Sequence, residues 1–417
     1  MSLLRRIPTP RLLLLCAAVL AFSAGVTAIA SALTAGGPVP AAESLAVAIR
    51  QAIDARPVPG ITARIEYTNH LIDPGVVDTR GLPGNPLLNG ATGRLWLAPG
   101  HGLRLELQSS RGDSQLVVHD GAFWAYDAGS NTAYQGSLPR RDGAAGKPKE
   151  RHAPPSLAVI QRHIDELSKH ANVSGAQPGD VAGRPAYTVS VSPRANPGLI
   201  GPAQLAWDAV RGIPLRVALY ARGSDQPVLE LKVTDISFGR VPASVFAVTP
   251  PAGAKVVEVK RPNAATARAK ARERRGRTAG RRHPAPVSGL DAVQAKLPFR
   301  LSAPDSVAGQ ARNDVKLFTI GNKPVAVVGY GEGLGGIAVI ERAAAPAKPG
   351  SSAPAASSDG GDGEHRGGLP AVSINGASGH ELSTALGTLV TFQRGGVDYV
   401  VVGSVTQATA ESAARAL

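Results

Sequence analysis

Apolar and polar residues alternate along much of the chain. From Ile61 to Tyr67 and from Leu103 to Leu107, every second residue is apolar. This period of two predicts strands with one apolar face and one solvated face. Asp120-Gly121 separates the runs 116–119 and 123–126, which predicts a tight β-hairpin. The other strand-like runs of this half are 94–97, 186–191, 203–208, 215–220 and 228–238.

Two stretches of the same half have helical spacing instead. Apolar residues recur every three or four positions at 41–55 and at 155–170, which predicts two amphipathic helices. The Pro-, Gly- and Asn-rich stretch 73–90 predicts a long loop. Regularly spaced strands with turn residues between them favour a curved antiparallel sheet.

A second module is predicted at 287–417, with a disordered insert at about 343–369 that is rich in Ala, Gly, Ser and Pro. Its helical element is 407–416, and its strand-like runs are 317–320, 325–330, 337–341, 372–375, 388–393 and 399–402.

One motif in this module resembles a nucleotide-binding loop. Gly331, Gly333 and Gly336 form Gly-x-Gly-x-x-Gly after a strand-like run. In a dinucleotide-binding fold this loop opens a helix, whose N-terminus holds the pyrophosphate. Here the β-branched run 337–340 follows, so we predict a glycine-rich hairpin turn.

The composition fits a mostly β protein. Of the 417 residues, 43% are apolar and only 4% are aromatic, while 48 are Gly and 34 are Pro. These values favour turns and strands over long helices. The expected fold class is mainly antiparallel β (α+β), with a first domain at 41–259 and a smaller second module.

The net charge of +14 is concentrated in two short segments. Ten Lys and Arg residues against Glu273 alone lie in a linker at 260–286, and three more Arg residues precede the N-terminal apolar run. The folded parts are nearly neutral, which argues against a nucleic-acid partner. The linker residues that are candidates for contact with an anionic membrane surface are Arg272, Arg274, Arg275 and Arg277.

The N-terminal segment, 1–40, predicts a location outside the cytoplasm. Arg5, Arg6 and Arg11 precede an uncharged apolar run at 12–33, and Ala30-Ser31-Ala32 offers a cleavage site. This pattern is typical of a secretory signal. The run is also long enough for a transmembrane anchor, and the two interpretations stay open.

No familiar catalytic constellation stands out. Cys16 is the only cysteine, and it lies in the N-terminal apolar run. We therefore expect no disulfide and no cysteine-based metal site in a mature chain. His163 and His170 share a helical face without a carboxylate at ligand spacing. We expect neither an enzyme nor a metal or cofactor.

The remaining candidates for a binding site are apolar residues on the predicted sheet. They form either a plain core or the lining of a cavity that holds an acyl chain, and the pattern does not separate the two. The candidate lipid-binding residues are Leu95, Leu97, Leu103, Leu105, Trp124, Trp207, Leu215 and Val217.

Several short segments carry a family resemblance. Ala206-Trp207-Asp208 followed by Arg211-Gly212-Ile213-Pro214, together with Pro250-Pro251-Ala252-Gly253, resembles LolA-like and RseB-like lipoprotein carrier and sorting proteins. In the second module, Val372–Gly376 and Val390–Tyr399 resemble a C-terminal envelope-protein domain of unassigned function.

The resemblance implies an open half-barrel sheet with helices over its concave side, where acyl chains bind without catalysis. It also implies a gating arginine, for which Arg64 and Arg104 are candidates. The resulting hypothesis is an extracytoplasmic protein that binds lipid acyl chains or lipoproteins. The alternative is a membrane-tethered RseB-like sensor that contacts a membrane-bound regulatory partner.

Overall fold

The computed structural model describes residues 37–72, 90–110, 112–138, 154–196, 198–259, 287–320, 323–344 and 369–417. These residues form two compact units. The predicted apolar N-terminal run 12–33, the loop at 73–90 apart from Gly90, the linker at 260–286 and most of the insert at 343–369 lie outside the described residues. Their predictions therefore stay predictions.

The first unit is built on a sheet of 13 strands. Its two helices are α1 (Leu45–Asp54) and α2 (Leu157–Ser168). Its strands are β1 (Ile61–Asn69), β2 (Ala91–Ala98), β3 (Gly102–Ser109), β4 (Gly112–His119), β5 (Ala122–Asp127), β6 (Thr132–Ser137), β7 (Ala171–Val173), β8 (Gln177–Val181), β9 (Arg184–Pro193), β10 (Ile200–Asp208), β11 (Pro214–Ala221), β12 (Pro227–Phe238) and β13 (Lys255–Glu258).

Strands β1 to β6 lie side by side in sequence order and pair antiparallel. β12 flanks β1 on the other side, followed by β11, β10 and β9. β13 returns from the end of the domain to pair with β6 in parallel. Asp120 and Gly121 both have positive φ (47° and 76°), as a two-residue type I′ hairpin requires. The hairpin predicted at this dipeptide is thus confirmed.

Both helices of the first unit begin at a capping serine. The Ser44 and Ser156 side chains accept hydrogen bonds from Val47 N and Val159 N, at 3.4 Å each. The helices contact each other, and α2 contacts β7. Ala48 of α1 packs with Tyr187 and Trp207, so the helices cover the β7–β10 end of the sheet.

The second unit is an eight-stranded sheet that curls into a half-barrel. Its helices are α3 (Leu290–Gln294) and α4 (Gln407–Arg415). Its strands are β14 (Ser306–Val307), β15 (Gln310–Ile320), β16 (Lys323–Tyr330), β17 (Ile337–Ala343), β18 (Ala371–Ile374), β19 (Ala377–Thr384), β20 (Gly387–Arg394) and β21 (Val397–Gly403). Ala410, Ala413 and Ala414 of α4 join the core on one face of this sheet.

The predicted fold class is confirmed. Among the described residues, 52% lie in strands and 13% in helices, and antiparallel pairs dominate both sheets. The glycine-rich motif lies between β16 and β17, which pair antiparallel with Tyr330 opposite Ile337. It is therefore a hairpin turn, as predicted, and no helix follows it.

Candidate functional site

Strands β3, β4 and β5 present a continuous row of apolar side chains on one side of the first sheet. Leu103 lies opposite Val118, and Val118 lies opposite Phe123. Leu105 lies opposite Leu116 one step along the same strands. Directly paired residues share a face, so these five side chains form one surface, which we call the apolar face. All five are only half-buried.

The apolar face continues to both sides. On β2, Leu97 lies opposite Leu103 and Leu95 lies opposite Leu105. On β6, Tyr134 pairs with Ala125 and is 42% exposed. Four strand spacings of about 4.8 Å separate β2 from β6, so the surface is about 19 Å wide.

The other side of the same strands is sealed by the chain itself. A 3₁₀ turn at Ala243–Val245 carries Phe246 onto β3 and β4, where Phe246 is only 2% exposed. Its ring stacks on His119 with 5.9 Å between centroids. A Cβ at Gly102 would lie 2.7 Å from Phe246 Cγ, so the ring occupies the space that a side chain would need.

Two side chains fasten this covering segment through its carbonyl groups. Arg104 donates to Val245 O at 2.9 Å, and Trp124 Nε1 donates to Val248 O at 2.9 Å. The guanidinium carbon of Arg104 also lies 5.3 Å from the Trp96 ring centroid, and Arg104 pairs with Glu106. This side of the sheet, the sealed face, is therefore packed against a segment of the chain itself, although Arg104, His119 and Trp124 are half-buried, as the residues of the apolar face are.

The structure does not bring Trp124 together with the other predicted lipid-binding residues. Trp124 pairs with Val117, and Val117 pairs with Arg104. It therefore lies on the sealed face, on the opposite side of the sheet from Leu103 and Leu105. The physical reason is strand register: alternation along one strand shows which residues share a side, but only the pairing with the next strand shows on which side of the sheet they lie.

The two candidate gating arginines also lie away from the apolar face. Arg104 belongs to the sealed face. Arg64 lies opposite Arg94 and Asp235 and is exposed. Neither side chain is placed to line the apolar face.

The remaining predicted lipid-binding residues divide between core and surface. Leu95, Leu97 and Leu105 pack against the core cluster around Ile61, although they stay half-buried. Trp207 and Leu215 are buried. Val217 is half-buried and lies opposite the exposed Leu231. Whether any of them binds lipid stays a prediction.

The segment that carries the strongest sequence resemblance forms a structural turn between β10 and β11. Asp208 is fully buried, and its Oδ1 accepts hydrogen bonds from Val210 N at 2.9 Å and Arg211 N at 2.8 Å. Its Oδ2 accepts from Arg184 Nε at 2.9 Å. Gly212 has a φ of 64° and packs directly on the Ala52 carbonyl of α1. These contacts give Asp208 and Gly212 a structural role in the turn, so a binding role is not needed to explain this segment.

An open pocket of about 550 Å³ lies at the ends of β1, β2 and β3. Its lining is mostly polar and includes Glu66, His70, Thr92 and Gln108. Burial raises the pKa of the lining residue Tyr67. None of the eight predicted lipid-binding residues lines this pocket, and no sequence pattern indicated it.

Sequence patterning also missed a buried carboxyl group in the second unit. Glu341 is fully buried on the core face, and its Oε2 accepts a hydrogen bond from Ser302 N at 3.0 Å. Burial raises the pKa of Glu341 to about 7. Ile337, Val339 and Glu341 alternate along β17, so the strand pattern already places this carboxyl group inward.

Other predicted features are placed as follows. His163 and His170 are both exposed, and α2 ends at Ser168, before His170. Within the described ranges, no group of three or more potential metal-ligating side chains occurs. Arg272, Arg274, Arg275 and Arg277 lie outside the described residues. In the part of the chain that the structure covers, no helix combines the length and apolar character of a membrane span.

Comparison with known proteins gives structural matches only. No protein-family model and no curated protein matches the chain. A solved complex of Pseudomonas aeruginosa MucA and MucB has a TM-score of 0.38 and 17% identity, over 89% of this chain and 96% of the other. These matches include the LolA and RseB classes that the sequence resembles.

Two further solved structures are similar to about half of the chain. One is a putative outer membrane lipoprotein-sorting protein domain from Vibrio parahaemolyticus (TM-score 0.20, 12% identity, 49% of this chain and 96% of that one). The other is a LolA superfamily protein from Nitrosomonas europaea (TM-score 0.19, 9% identity, 50% and 99%). TM-scores below 0.5 at such identities do not establish a shared function.

Proposed function

We propose that this chain binds lipid acyl chains, free or attached to lipoproteins, on the apolar face of its first unit, outside the cytoplasmic membrane. The observation that supports this most is the asymmetry of β3 to β5. The Phe246 segment packs on one side, where Val117 and Phe246 are each 2% exposed, while Leu103, Leu116, Val118 and Phe123 on the other side remain half-buried.

An acyl chain has the chemistry that such a surface can hold. Each methylene removed from water contributes about 0.8 kcal/mol, so eight of them would contribute about 6 kcal/mol. The costs of association reduce this sum. No catalytic group is needed, because the binding energy comes from burial of apolar surface. The N-terminal signature supports a location outside the cytoplasm.

Lipid binding is tested by solvent extraction of the purified chain with mass spectrometry, and by uptake of a fluorescent fatty acid. We expect co-purified acyl lipid and saturable uptake. Val118→Asp puts a carboxylate in the middle of the apolar face and should weaken uptake more than tenfold. Val210→Asp is the matched control, because Val210 is 63% exposed on the β10–β11 turn.

A wild-type chain without lipid and without uptake would overturn the proposal. Equal uptake by the Val118→Asp and Val210→Asp variants would place the binding surface elsewhere. Thermal unfolding of each variant must first show that the first unit is folded. The N-terminal residue of the mature protein then separates a mobile carrier from the tethered sensor.

A further inference from the structure

Two carboxyl groups meet where α4 packs on the sheet of the second unit. Glu381 of β19 is 7% exposed and lies opposite the core residue Val390, so it faces the same side as α4. The side-chain amide of Gln407 on α4 donates to Glu381 Oε1 and, at 3.1 Å, to Glu411 Oε1. Because both oxygens accept from one nitrogen, they lie within about 6 Å of each other.

The two carboxyl groups also bond to each other. A hydrogen bond joins the side chains of Glu381 and Glu411. An ionised carboxylate can only accept hydrogen bonds, so this bond requires a proton on one of the two groups. Among the residues that the structure describes, no donor reaches Glu381 Oε2, which is buried. One proton shared between the two groups therefore completes their hydrogen bonding.

Within the described part of the chain, few other charges lie near this pair. Arg415, one turn beyond Glu411 on α4, forms an ion pair with it. On the sheet, the neighbours of Glu381 are uncharged, because it lies opposite Val390 and its backbone N–H donates to Pro370 O. Strands β14 and β18, which also contact α4, contain no titratable side chain.

The remaining charged or titratable groups of the surrounding strands are directed elsewhere. His380 precedes Glu381 on β19, so its side chain lies on the opposite side of the sheet, where it is exposed. Arg394 of β20 and Tyr399 of β21 interact with Glu341 instead. Arg415 is therefore the one cation beside the pair among the described residues.

The surroundings move the two pKa values apart. Burial raises the pKa of Glu381 above its ordinary value of 4.5, and the neighbouring Glu411 raises it further. The hydrogen bond from Arg415 lowers the pKa of Glu411 below 4.5. The pair therefore holds a single proton over the pH range between these two values.

The sign of the pH effect follows from comparison with the unfolded chain, where both groups titrate near 4.5. The contribution of Glu381 to stability is complete below pH 4.5 and is lost as the pH rises through its raised pKa. The contribution of Glu411 is complete above pH 4.5 and is lost as the pH falls through its lowered pKa. Together they stabilise the second unit most near pH 4.5.

We infer that Glu381 and Glu411 form a proton-sharing pair that fastens α4 to the sheet, and that the helix is held less tightly once the proton leaves. Two ionised carboxylates at this separation repel each other, which opposes the contact between α4 and β19. The helix covers the core through three small residues, Ala410, Ala413 and Ala414. The inference concerns the second unit and does not rest on acyl-chain binding in the first.

The shared proton is tested by ¹³C NMR of the full chain labelled at the glutamate carboxyl carbons. Glu381→Gln and Glu411→Gln assign the two signals, and Glu341→Gln assigns the other buried carboxyl group. We expect two separate titration steps for the pair, one below and one above pH 4.5. Glu411→Gln removes the neighbouring negative charge and should bring the Glu381 step closer to 4.5.

The hold on α4 is tested by hydrogen exchange with mass spectrometry, corrected for the intrinsic exchange rate at each pH. As the pH rises from about 5 to 8, protection of 407–415 should fall by up to about tenfold for each unit by which the pKa of Glu381 is raised. Protection of β16 in the same unit should fall less. Glu411→Gln should abolish this loss, whereas Glu332→Gln, at an exposed position between β16 and β17, should leave it unchanged.

Three results would overturn the inference. They are coincident titration of Glu381 and Glu411 near pH 4.5, an equal loss of protection in α4 and β16, and a loss in α4 that persists in the Glu411→Gln variant. Repeating the exchange measurement in the Glu341→Gln variant removes the pH effect of that group from the comparison. If Glu411→Gln does not fold, the two titration steps of the unsubstituted chain, assigned with Glu381→Gln, decide the question.

Discussion

Removal of the Phe246 ring should destabilise the first unit severely, because this one side chain closes one face of β3 and β4. Phe246→Ala takes away a ring that is 2% exposed and stacks on His119. Truncations of buried Phe to Ala cost about 3–5 kcal/mol. We expect the upper part of that range, since the hydrogen bonds from Arg104 to Val245 O and from Trp124 to Val248 O depend on the same segment.

The same geometry predicts a specific coupling with Gly102. Gly102→Ala alone places a methyl group 2.7 Å from Phe246 Cγ, and overpacking of this kind costs about 1–3 kcal/mol. In the Phe246→Ala background the ring is gone, so the new methyl group should cost little and could fill part of the cavity. The double-mutant cycle should therefore give a coupling of at least about 1 kcal/mol.

Tryptophan fluorescence during urea unfolding measures this effect in the first unit alone. All three Trp residues of the chain, Trp96, Trp124 and Trp207, lie in that unit. Val210→Ala is the control and should stay within about 0.5 kcal/mol of the parent. A cost below about 1 kcal/mol for Phe246→Ala, or additive effects with Gly102→Ala, would refute the idea that Phe246 closes this face.

Three further predictions concern Glu341, Gly212 and Asp208. Burial raises the pKa of Glu341 from 4.5 to about 7. The contribution of this group to the free energy of unfolding is therefore complete below pH 4.5 and is lost as the pH rises through about 7. Calorimetry should show that Glu341→Gln removes this loss of stability, and a pH–stability profile that the substitution leaves unchanged would contradict the prediction. Gly212→Ala should lower the free energy of unfolding in urea by at least about 2 kcal/mol, because Gly212 has a positive φ and contacts α1. Gly223 also has a positive φ but has open space around it, so Gly223→Ala should cost about 1 kcal/mol. Equal costs would show that the contact with α1 adds nothing to the penalty at Gly212. Asp208→Ala should cost about 3 kcal/mol in the same assay, since Arg184 and two backbone N–H groups lose a buried acceptor, and a near-neutral result would show that the turn does not need the carboxylate.

Much of the fold could be predicted from periodicity, and the exceptions have physical causes. The alternating runs at 61–67 and 103–107 form β1 and β3; β1 extends beyond the C-terminal end of its run, and β3 extends beyond both ends. β6 (Thr132–Ser137) was missed because Gln135, Gly136 and Ser137 interrupt the apolar pattern. Its hydrogen bonds to β5 and β13 form without that pattern, since backbone pairing does not depend on side-chain polarity.

The candidate site was harder to predict than its strands. Strand alternation placed Leu103 and Leu105 on one face, but the position of Trp124 depends on the β4–β5 register, which no single strand encodes. The covering segment around Phe246 could not be foreseen at all. It has no periodic pattern, and it contacts Gly102 across 144 positions of sequence.

The second unit supplies an internal reference for the choice between core and cavity in the first. On its covered face, Ile374, Val390 and Val401 are completely buried under the core that includes α4. In the first unit, Leu105 and Leu116 occupy central positions on β3 and β4 yet remain half-buried. Strands of the same chain can therefore close such a face when a helix covers it. The incomplete burial of the apolar face favours a surface that an apolar ligand completes.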